Sequence, residues 1–354
     1  MVVNGRSVKI QRKKKKRNKI LKWYLIPIVV IFLSALTYGT FLFNKAQTAM
    51  DTSYEKIERD SKRDIAVNPE VDNISILFIG VDDSDERSYG SSARSDALIL
   101  ATFNKDLKSV NLLSIPRDSY VKIPDHGKDK ITHAHAFGGA TATIETVENL
   151  FEIPVDYYVK MNFNAFVEVV DALGGIEVEV PYEFGELNSE ADKIIYLTPG
   201  LQKLNGEEAL ALSRTRKLDS DIERGKRQMD ILKSIISKAS SVGSVTKYGN
   251  IIDAVGGNMT TDLSFNELTS FIDYIAAGSS LNIETLTLQG GDLYIPNKYG
   301  KNIYYYGLDE EHLESVQNLL KSHLELKNAL VTEDEYDADR YYDTETHNKY
   351  SSVK

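Results

Sequence analysis

The sequence contains no cysteine. This absence excludes disulfide bonds, thiol catalysis and zinc sites built on cysteine ligands, so the folded domain must be stable through its hydrophobic core alone. Positive charge is also scarce, because 42 lysines and arginines stand against 52 aspartates and glutamates in 354 residues. So acidic a surface repels polyanions, and no DNA-binding motif is present. Nucleic acid is therefore a poor candidate for a partner.

Two further absences mark the N-terminus. Residues 1–22 contain ten basic residues and no acidic one, and residues 23–43 contain no charged residue at all. At about 1.5 Å per residue, an apolar helix of this length spans about 30 Å, the thickness of a hydrocarbon core. Because basic flanks remain in the cytoplasm, the pattern predicts a basic cytoplasmic tail, a transmembrane helix and an extracellular location for the rest. A cleaved signal peptide is the alternative, but the apolar run is long for one and no clear small-x-small site follows it.

The rest of the chain divides by composition. Residues 44–72 are polar and charged and predict an extracellular stalk, whereas residues 327–354 are acidic and tyrosine-rich and predict a disordered tail. Residues 73–326 mix apolar strand patterns with helical ones, which predicts an α/β fold, a layered α-β-α domain with helices on both faces of a central mixed sheet. The predicted strands are residues 74–79, 97–103, 110–115, 157–161, 176–180 and 283–288, and the predicted helices are residues 141–150, 165–173, 207–215, 224–239, 265–276 and 310–324.

Carboxylates and arginines follow the ends of the predicted strands. Asp82 ends the apolar run ILFIGVD, and Arg94 and Asp96 open the next strand after a polar loop. Arg117 and Asp118 follow a third strand, in the segment SIPRD. Because α/β folds place ligands at strand ends, Asp82 and Asp96 are candidates to hold Mg²⁺ together with phosphate oxygens and water. Ordinary turn chemistry and a surface Arg–Asp pair are the alternatives.

A second cluster of arginines follows later in the chain. Arg214 and Arg216 are two positions apart, so both can face one ligand only if the helix ends there. Arg224, Arg227 and Gln228 lie on one face of the next helix, close to its N-terminus, which favours anions. Guanidinium groups match phosphate oxygens, and the carboxylates among them suit a divalent cation that phosphates bridge. The pattern predicts a diphosphate ligand, and an ordinary basic helix surface is the alternative.

The segment DKITHAH carries three further candidates. Lys130 is a candidate phosphate contact. His133 and His135 form an HxH pair of the kind found in zinc sites, but the sequence offers no evident third ligand. Polar positions with satisfied hydrogen bonds are the simpler explanation of the two imidazoles.

These motifs, in this order, resemble one known family. The segments that carry the resemblance run from about residue 73 to residue 240 and are ILFIGVD, RSDALILATFN, LLSIPRD, DKITHAHAFGG, DYYVKMNFNAF, VDALGGIEVEVP, LNGEEALALSRTR and DIERGKRQ. They are similar to the LytR-CpsA-Psr family. The resemblance implies a single-pass type II protein of a Gram-positive cell membrane. It also implies transfer of an anionic glycopolymer, such as a wall teichoic acid or a capsular-type polysaccharide, from undecaprenyl diphosphate to peptidoglycan through a phosphodiester.

The resemblance also implies roles for individual residues. Asp82 and Asp96 resemble carboxylates linked to Mg²⁺, Arg117, Arg214 and Arg216 resemble a diphosphate clamp, Arg224 and Gln228 resemble further head-group contacts, and Asp118 and Asp221 resemble supporting carboxylates. Arg94 and Lys130 complete the candidate diphosphate-binding set, and the candidate catalytic residues are Asp82, Arg117 and Asp221. Many members carry an arginine directly after the first aspartate motif, whereas here Asp83, Ser84, Asp85 and Glu86 precede Arg87.

Several alternatives remain open on these residues. Asp82 and Asp221 are equal candidates for the base that accepts the proton of the attacking hydroxyl. The apolar residues of 165–173 and 231–236 suit a lipid tunnel, as the resemblance implies, or an ordinary core. A hydrolase that uses water as the acceptor, and a regulator that binds polyprenyl phosphates without turnover, are the alternative functions.

Overall fold

The computed structural model forms two compact units, Met1–Thr48 and Ala49–Lys354. In the first unit every described residue is helical, and among the described residues no helix is both long and apolar enough to cross a membrane. The described residues are 37–41, 44–45, 47–48, 51–57, 59, 62–63, 67–68, 72–81, 94–217, 221–239, 259–264, 267 and 282–326.

Several predicted segments fall outside these residues. They include the basic tail, 1–22, the C-terminal tail, 327–354, and nearly all of the predicted transmembrane helix and of the predicted helix 265–276. These assignments therefore stay predictions.

Fourteen strands and five helices are described in the second unit. The strands are β1 Ile74–Val81, β2 Ser95–Asn104, β3 Ser109–Ser114, β4 Tyr120–Ile123, β5 Gly127–Lys130, β6 Tyr157–Asn162, β7 Ile176–Val180, β8 Phe184–Leu187, β9 Ile194–Leu197, β10 Gly200–Leu204, β11 Met259–Thr261, β12 Asn282–Thr287, β13 Gly290–Pro296 and β14 Asn302–Leu308. The helices are α1 Thr132–Phe151, α2 Phe163–Ala172, α3 Gly206–Arg214, α4 Asp221–Ala239 and α5 Glu310–His323.

Six of these strands form a mixed central sheet in the order β11-β6-β1-β2-β3-β12. The pairs β1–β6 and β3–β12 are parallel, whereas β1–β2, β2–β3 and β6–β11 are antiparallel. The other strands form separate two-stranded pairs, β4–β5, β7–β10, β8–β9 and β13–β14. The predicted α/β fold with a central mixed sheet is confirmed.

The alternation of side chains along β1 separates the two faces of the sheet. Leu77 and Ile79 belong to a buried cluster with Phe151 of α1 and Leu320 of α5. The neighbouring residues Ile76 and Phe78 lie on the opposite face. That face is covered in part by α4, where Met229 packs with residues of β2 and β3. Helices therefore cover both faces, as the sequence predicted.

A second apolar cluster joins α2, α3 and α4 to the strands β7 to β10. The helix α3 begins with a capping box between Asn205 and Glu208, and Gly206 lies directly against α2. A Cβ atom at Gly206 would stand 2.3 Å from the carbonyl oxygen of Val167. This close approach fixes α3, and with it the arginine at its end.

The first described residues of the second unit pack against the sheet domain. Arg59 forms an ion pair of 3.1 Å with the buried Glu148, and Arg63 forms one of 2.8 Å with Asp156. This part of the predicted stalk is therefore joined to the domain by partly buried ion pairs.

His323, the last residue of α5, links this helix to the sheet by side-chain contacts. Its Nδ1 lies 2.8 Å from the hydroxyl of Thr102 and its Nε2 lies 2.8 Å from the hydroxyl of Ser109. Burial disfavours the imidazolium and lowers the pKa of His323 from 6.5 to about 4. Because the unfolded chain binds this proton more readily, the stabilisation is complete above pH 6.5 and is lost as the pH falls towards 4.

We therefore expect the free energy of unfolding to decrease by up to about 3 kcal/mol from this residue alone between pH 6.5 and pH 4. Urea unfolding at several pH values measures it, with His323→Gln as the variant in which this part of the dependence disappears. His126→Gln replaces an exposed histidine and is the matched control. An equal pH dependence in wild type and His323→Gln would contradict the prediction.

Candidate active site

The junction between α3 and α4 presents several arginines to one cavity. The helix α3 ends at Arg214 because Thr215 adopts an extended ψ of 139°. The side chains of Arg214 and Arg216 both line the cavity, as do Arg224 and Gln228 from α4. In a continuous helix, two arginines two positions apart would point to opposite sides. Because the helix ends at Arg214, both side chains can face the same cavity.

Close packing brings the start of α4 to the strand ends. Gly225 lies so near the end of β3 that a Cβ atom there would stand 2.3 Å from the Oγ of Ser114. The next residues after β3 lead to Arg117, and Arg224 Nη2 lies 3.4 Å from the backbone oxygen of Asp96. Segments far apart in sequence therefore meet at one point.

Arg117 lies at the centre of this meeting point. Its Nη1 donates to Asp96 Oδ1 at 2.6 Å. Its Nε lies 3.8 Å from Asp118 Oδ2 and 3.9 Å from Asp221 Oδ2. Three carboxylates from three segments thus surround one guanidinium group, which remains 24% exposed.

Asp221, the first residue of α4, has the complementary arrangement. Its Oδ1 lies 3.3 Å from Arg224 Nη1 and 3.5 Å from Arg216 Nη1. Burial lowers the pKa of Arg224, and the charge of Asp221 opposes that shift. With Arg117, three guanidinium groups surround this carboxylate.

Several buried polar atoms in this cluster have no hydrogen-bond partner among the described residues. They are Arg117 Nε, Arg214 Nη1, Arg224 Nε and Asp221 Oδ2. Buried polar atoms in proteins are nearly always paired. Arg117 Nε and Asp221 Oδ2 face each other at 3.9 Å, in an ion pair too long for a hydrogen bond. The donors Arg214 Nη1 and Arg224 Nε suit an anion with several oxygens.

The arginines open onto a cavity of about 860 Å³ that is otherwise mainly apolar. The sheet register places Gly80 opposite Ala97, next to Asp96, and Ile76 opposite Ala101. Since Ile76 also lines the cavity, the apolar part extends about 13 Å along the strands from the charged end. The shape and polarity suit an amphiphile with an anionic head and a long apolar chain.

Both helices that were candidates for a lipid tunnel line this cavity. Phe166 and Val169 contribute from α2, and Ile231, Ile235 and Ile236 contribute from α4. Ile231 also belongs to the second apolar cluster, so α4 packs against the domain and lines the cavity at once.

The remaining predicted residues lie around this centre or outside the described chain. Lys130 Nζ donates to Asp118 Oδ1 at 2.7 Å and does not line the cavity. Arg94 is exposed at the start of β2 and is also absent from the lining. Asp82 and Arg87 fall outside the described residues, so their predicted roles stay predictions.

The histidines of the HxH pair are engaged separately. His133 Nδ1 lies 2.8 Å from Asp129 Oδ2, and His135 is buried in α1. In the described part of the chain no three or more His, Cys, Asp or Glu side chains gather as they would around a metal ion. The prediction of Mg²⁺ between Asp82 and Asp96 depends on a residue that lies outside that part.

Arg227, which the sequence placed on one anion-favouring helix face with Arg224 and Gln228, has a different role in the structure, and two residues at the site, Phe163 and Lys217, were not recognised from the sequence. Arg227 is buried and donates to the backbone oxygens of Leu212 and Thr215, so it joins α4 to α3 and does not belong to a basic surface. Phe163 lies under Arg214, with 4.8 Å from the ring centroid to Cζ. Lys217 lines the cavity. Lys217 could have been recognised, because it directly follows the arginines in the run RTRK. Nothing in the local sequence distinguishes Phe163 from a core residue.

The comparisons with known proteins agree with this geometry. A model of the LytR_cpsA_psr family matches residues 40–322. The polyisoprenyl-teichoic acid–peptidoglycan teichoic acid transferase TagT of Bacillus subtilis is 38% identical over 323 residues, which cover 89% of this chain and 98% of TagT.

Two solved structures are similar in fold and in sequence. TagT bound to LIIa-WTA aligns with a TM-score of 0.63 and 37% identity over 76% of this chain and 98% of that one. The LytR-CPS2A-psr family protein YwtF (TagT) with bound octaprenyl pyrophosphate lipid aligns with a TM-score of 0.59 and 35% identity over 77% of this chain and 99% of that one. The protein therefore belongs to the LytR-CpsA-Psr family.

Proposed function

We propose that this protein is a membrane-anchored extracellular phosphotransferase that moves an anionic glycopolymer from undecaprenyl diphosphate to peptidoglycan. The observation that carries the proposal is the apolar cavity of about 860 Å³ that ends in Arg117, Arg214, Arg216 and Arg224. A relative with bound octaprenyl pyrophosphate lipid supports a polyprenyl diphosphate as the ligand. The TagT relative is named for teichoic acid transfer to peptidoglycan, which supports a wall teichoic acid as the donated polymer in preference to a capsular polysaccharide.

The predicted topology suits this reaction. The basic tail of residues 1–22 and the uncharged run of residues 23–43 support an N-terminal anchor with the domain outside the cell. An anchored domain stays close to a membrane-embedded donor, which raises the effective concentration of that donor.

In the proposed reaction, an acceptor hydroxyl attacks the phosphorus nearer the glycopolymer. A phosphorus–oxygen bond forms to the acceptor, the bond to the bridging oxygen breaks, and polyprenyl phosphate leaves with that oxygen. The arginines hold the diphosphate oxygens and stabilise the charge that moves onto the leaving phosphate. A carboxylate accepts the hydroxyl proton, and Asp221, with its unpaired Oδ2, and Asp82 are the candidates.

Mg²⁺ is part of the proposal because carboxylates and the oxygens of a bound diphosphate would meet in this cluster. Asp96 is 35% exposed and contacts Arg117 through its Oδ1. Mg²⁺ prefers hard oxygen ligands and is commonly held by one or two carboxylates together with substrate phosphates. Asp96, with Asp82 as predicted, would hold it, and the ion would neutralise charge on the phosphate oxygens.

The test is a transfer assay with the full chain in detergent micelles. We expect a polyprenyl-diphosphate-linked teichoic acid oligomer to become covalently attached to uncrosslinked peptidoglycan oligomers when Mg²⁺ is present, and attachment to stop in EDTA. Release of polyprenyl phosphate without attachment of the teichoic acid would show that the protein is a hydrolase and not a transferase. Tight binding of the donor without any turnover would indicate a binding protein.

A further inference from the structure

The hairpin of β13 and β14, Gly290–Leu308, carries two exposed aromatic side chains. Tyr294 is 58% exposed and Tyr299, in the turn at the tip, is 81% exposed. Tyr294 pairs across the hairpin with Tyr304, with ring centroids 5.6 Å apart and planes at 62°. Exposed aromatic groups in one place usually mark a binding surface. We call this surface the tyrosine hairpin.

The tyrosine hairpin is attached directly to the active site. The backbone N–H of Tyr306 donates to the backbone oxygen of Asp118 at 2.8 Å, and Tyr306 forms an isolated bridge with Ser119. Asp118 is the neighbour of Arg117 and lies within 3.8 Å of it. The hairpin therefore begins beside the diphosphate cluster with the buried Tyr306 and continues away from it to the exposed rings of Tyr294 and Tyr299.

Charges of both signs accompany the rings. Lys130 Nζ lies 5.6 Å from the centroid of Tyr304, and Lys298 Nζ lies 5.0 Å from that of Tyr299. Burial, together with the nearby carboxylates of Asp292 and Asp118, raises the pKa of Tyr304 to about 12, and its hydroxyl donates to Asp292. A densely anionic polymer would meet these carboxylates unfavourably, whereas a chain with neutral rings and occasional carboxylates finds aromatic faces, hydroxyls and ammonium groups.

We infer that the tyrosine hairpin binds the acceptor, a β-1,4-linked aminosugar strand that carries carboxylates, and leads one of its hydroxyls to the cluster around Arg117. This inference rests on the proposed transfer to peptidoglycan. Aromatic faces pack against the apolar faces of sugar rings, and Lys298, whose ammonium lies over Tyr299, complements the carboxylates. The surface is continuous with the site where the acceptor must arrive.

The test separates binding from turnover. Soluble, uncrosslinked N-acetylglucosamine–N-acetylmuramic acid oligomers with peptide stems are titrated into the full chain in detergent micelles by calorimetry, with no donor present. We expect Tyr294→Ala/Tyr299→Ala to weaken binding about tenfold. Tyr294→Phe/Tyr299→Phe keeps both aromatic faces and should bind like wild type. Tyr196→Ala, which removes a tyrosine 72% exposed on the β8–β9 hairpin, is the matched control.

Each outcome decides the inference. Unchanged affinity in the double alanine variant would overturn it, and so would an equal loss in Tyr196→Ala. Poly(glycerol phosphate) is titrated in parallel. If the double alanine variant loses affinity for this polymer but not for the peptidoglycan oligomers, the hairpin binds the donor polymer instead. The double alanine variant could lose oligomer binding while the wild-type protein shows no transfer. That result would refute the proposed function and retain the hairpin as a glycan-binding surface.

Discussion

Replacement of Arg117 by alanine is expected to lower kcat/KM for glycopolymer transfer by about a thousandfold. The guanidinium group is the only side chain that contacts Asp96, Asp118 and Asp221 together among the described residues. Without this guanidinium group, no positive charge at this position would stabilise the negative charge that develops on the phosphate. The three carboxylates would also lie near one another without a cation between them. The measurement is the transfer assay with Mg²⁺, together with thermal unfolding to show that the fold survives.

Two further variants sharpen this result. Arg117→Lys keeps the charge but loses the planar fork, so we expect it to recover only a minor part of the activity. Lys105→Ala removes one positive charge from the exposed β2–β3 turn and should transfer at the wild-type rate. A wild-type rate in Arg117→Ala would refute the assignment of this arginine to the diphosphate.

The sequence predicted five of the six central strands, all but β11, because an unbroken apolar run is visible where both faces are covered. Leu77 and Ile79 on one face and Ile76 and Phe78 on the other gave an unbroken apolar run, which is typical of a strand covered on both sides. The strand order could not be predicted, since pairing depends on contacts between distant segments. The short pairs β4–β5, β8–β9 and β13–β14 were missed because their few residues alternate weakly and include many polar side chains.

Helix boundaries show a similar division. The predicted helix 141–150 matches the second part of α1, and the structure adds an N-terminal extension from Thr132 that is separated from it by a kink with non-helical angles at Gly138 and Gly139. Two adjacent glycines and a polar start concealed this extension, because both lower helix propensity.

The candidate site was predictable where spacing carries geometry. The end of α3 at Arg214 could be anticipated, since two arginines two positions apart cannot otherwise share a ligand. The burial of Arg227 could not, because the same spacing fits a residue that faces a ligand and one that faces a neighbouring helix. Which of the predicted carboxylates converge was likewise decided by tertiary packing, such as the contact of Gly225 with Ser114.

A second large effect is expected from Asp221→Asn, which should lower kcat about a hundredfold while changing donor affinity much less. Asparagine keeps the size of the side chain, and its amide oxygen can still accept from Arg216 and Arg224. It cannot accept the acceptor's proton, and it supplies no charge to a cation. Single-turnover transfer measures the chemical step, and calorimetric titration with polyprenyl diphosphate measures the affinity for the head group.

The pH dependence of the same variant distinguishes the two roles that this carboxylate can play. If Asp221 accepts the proton of the attacking hydroxyl, the acidic limb of the kcat profile disappears in Asp221→Asn and persists in Asp82→Asn. If Asp221 only positions Arg216 and Arg224, the limb persists in Asp221→Asn and the donor affinity falls. Wild-type kcat together with wild-type donor affinity in Asp221→Asn would contradict both roles, because this carboxylate would then have no part in transfer.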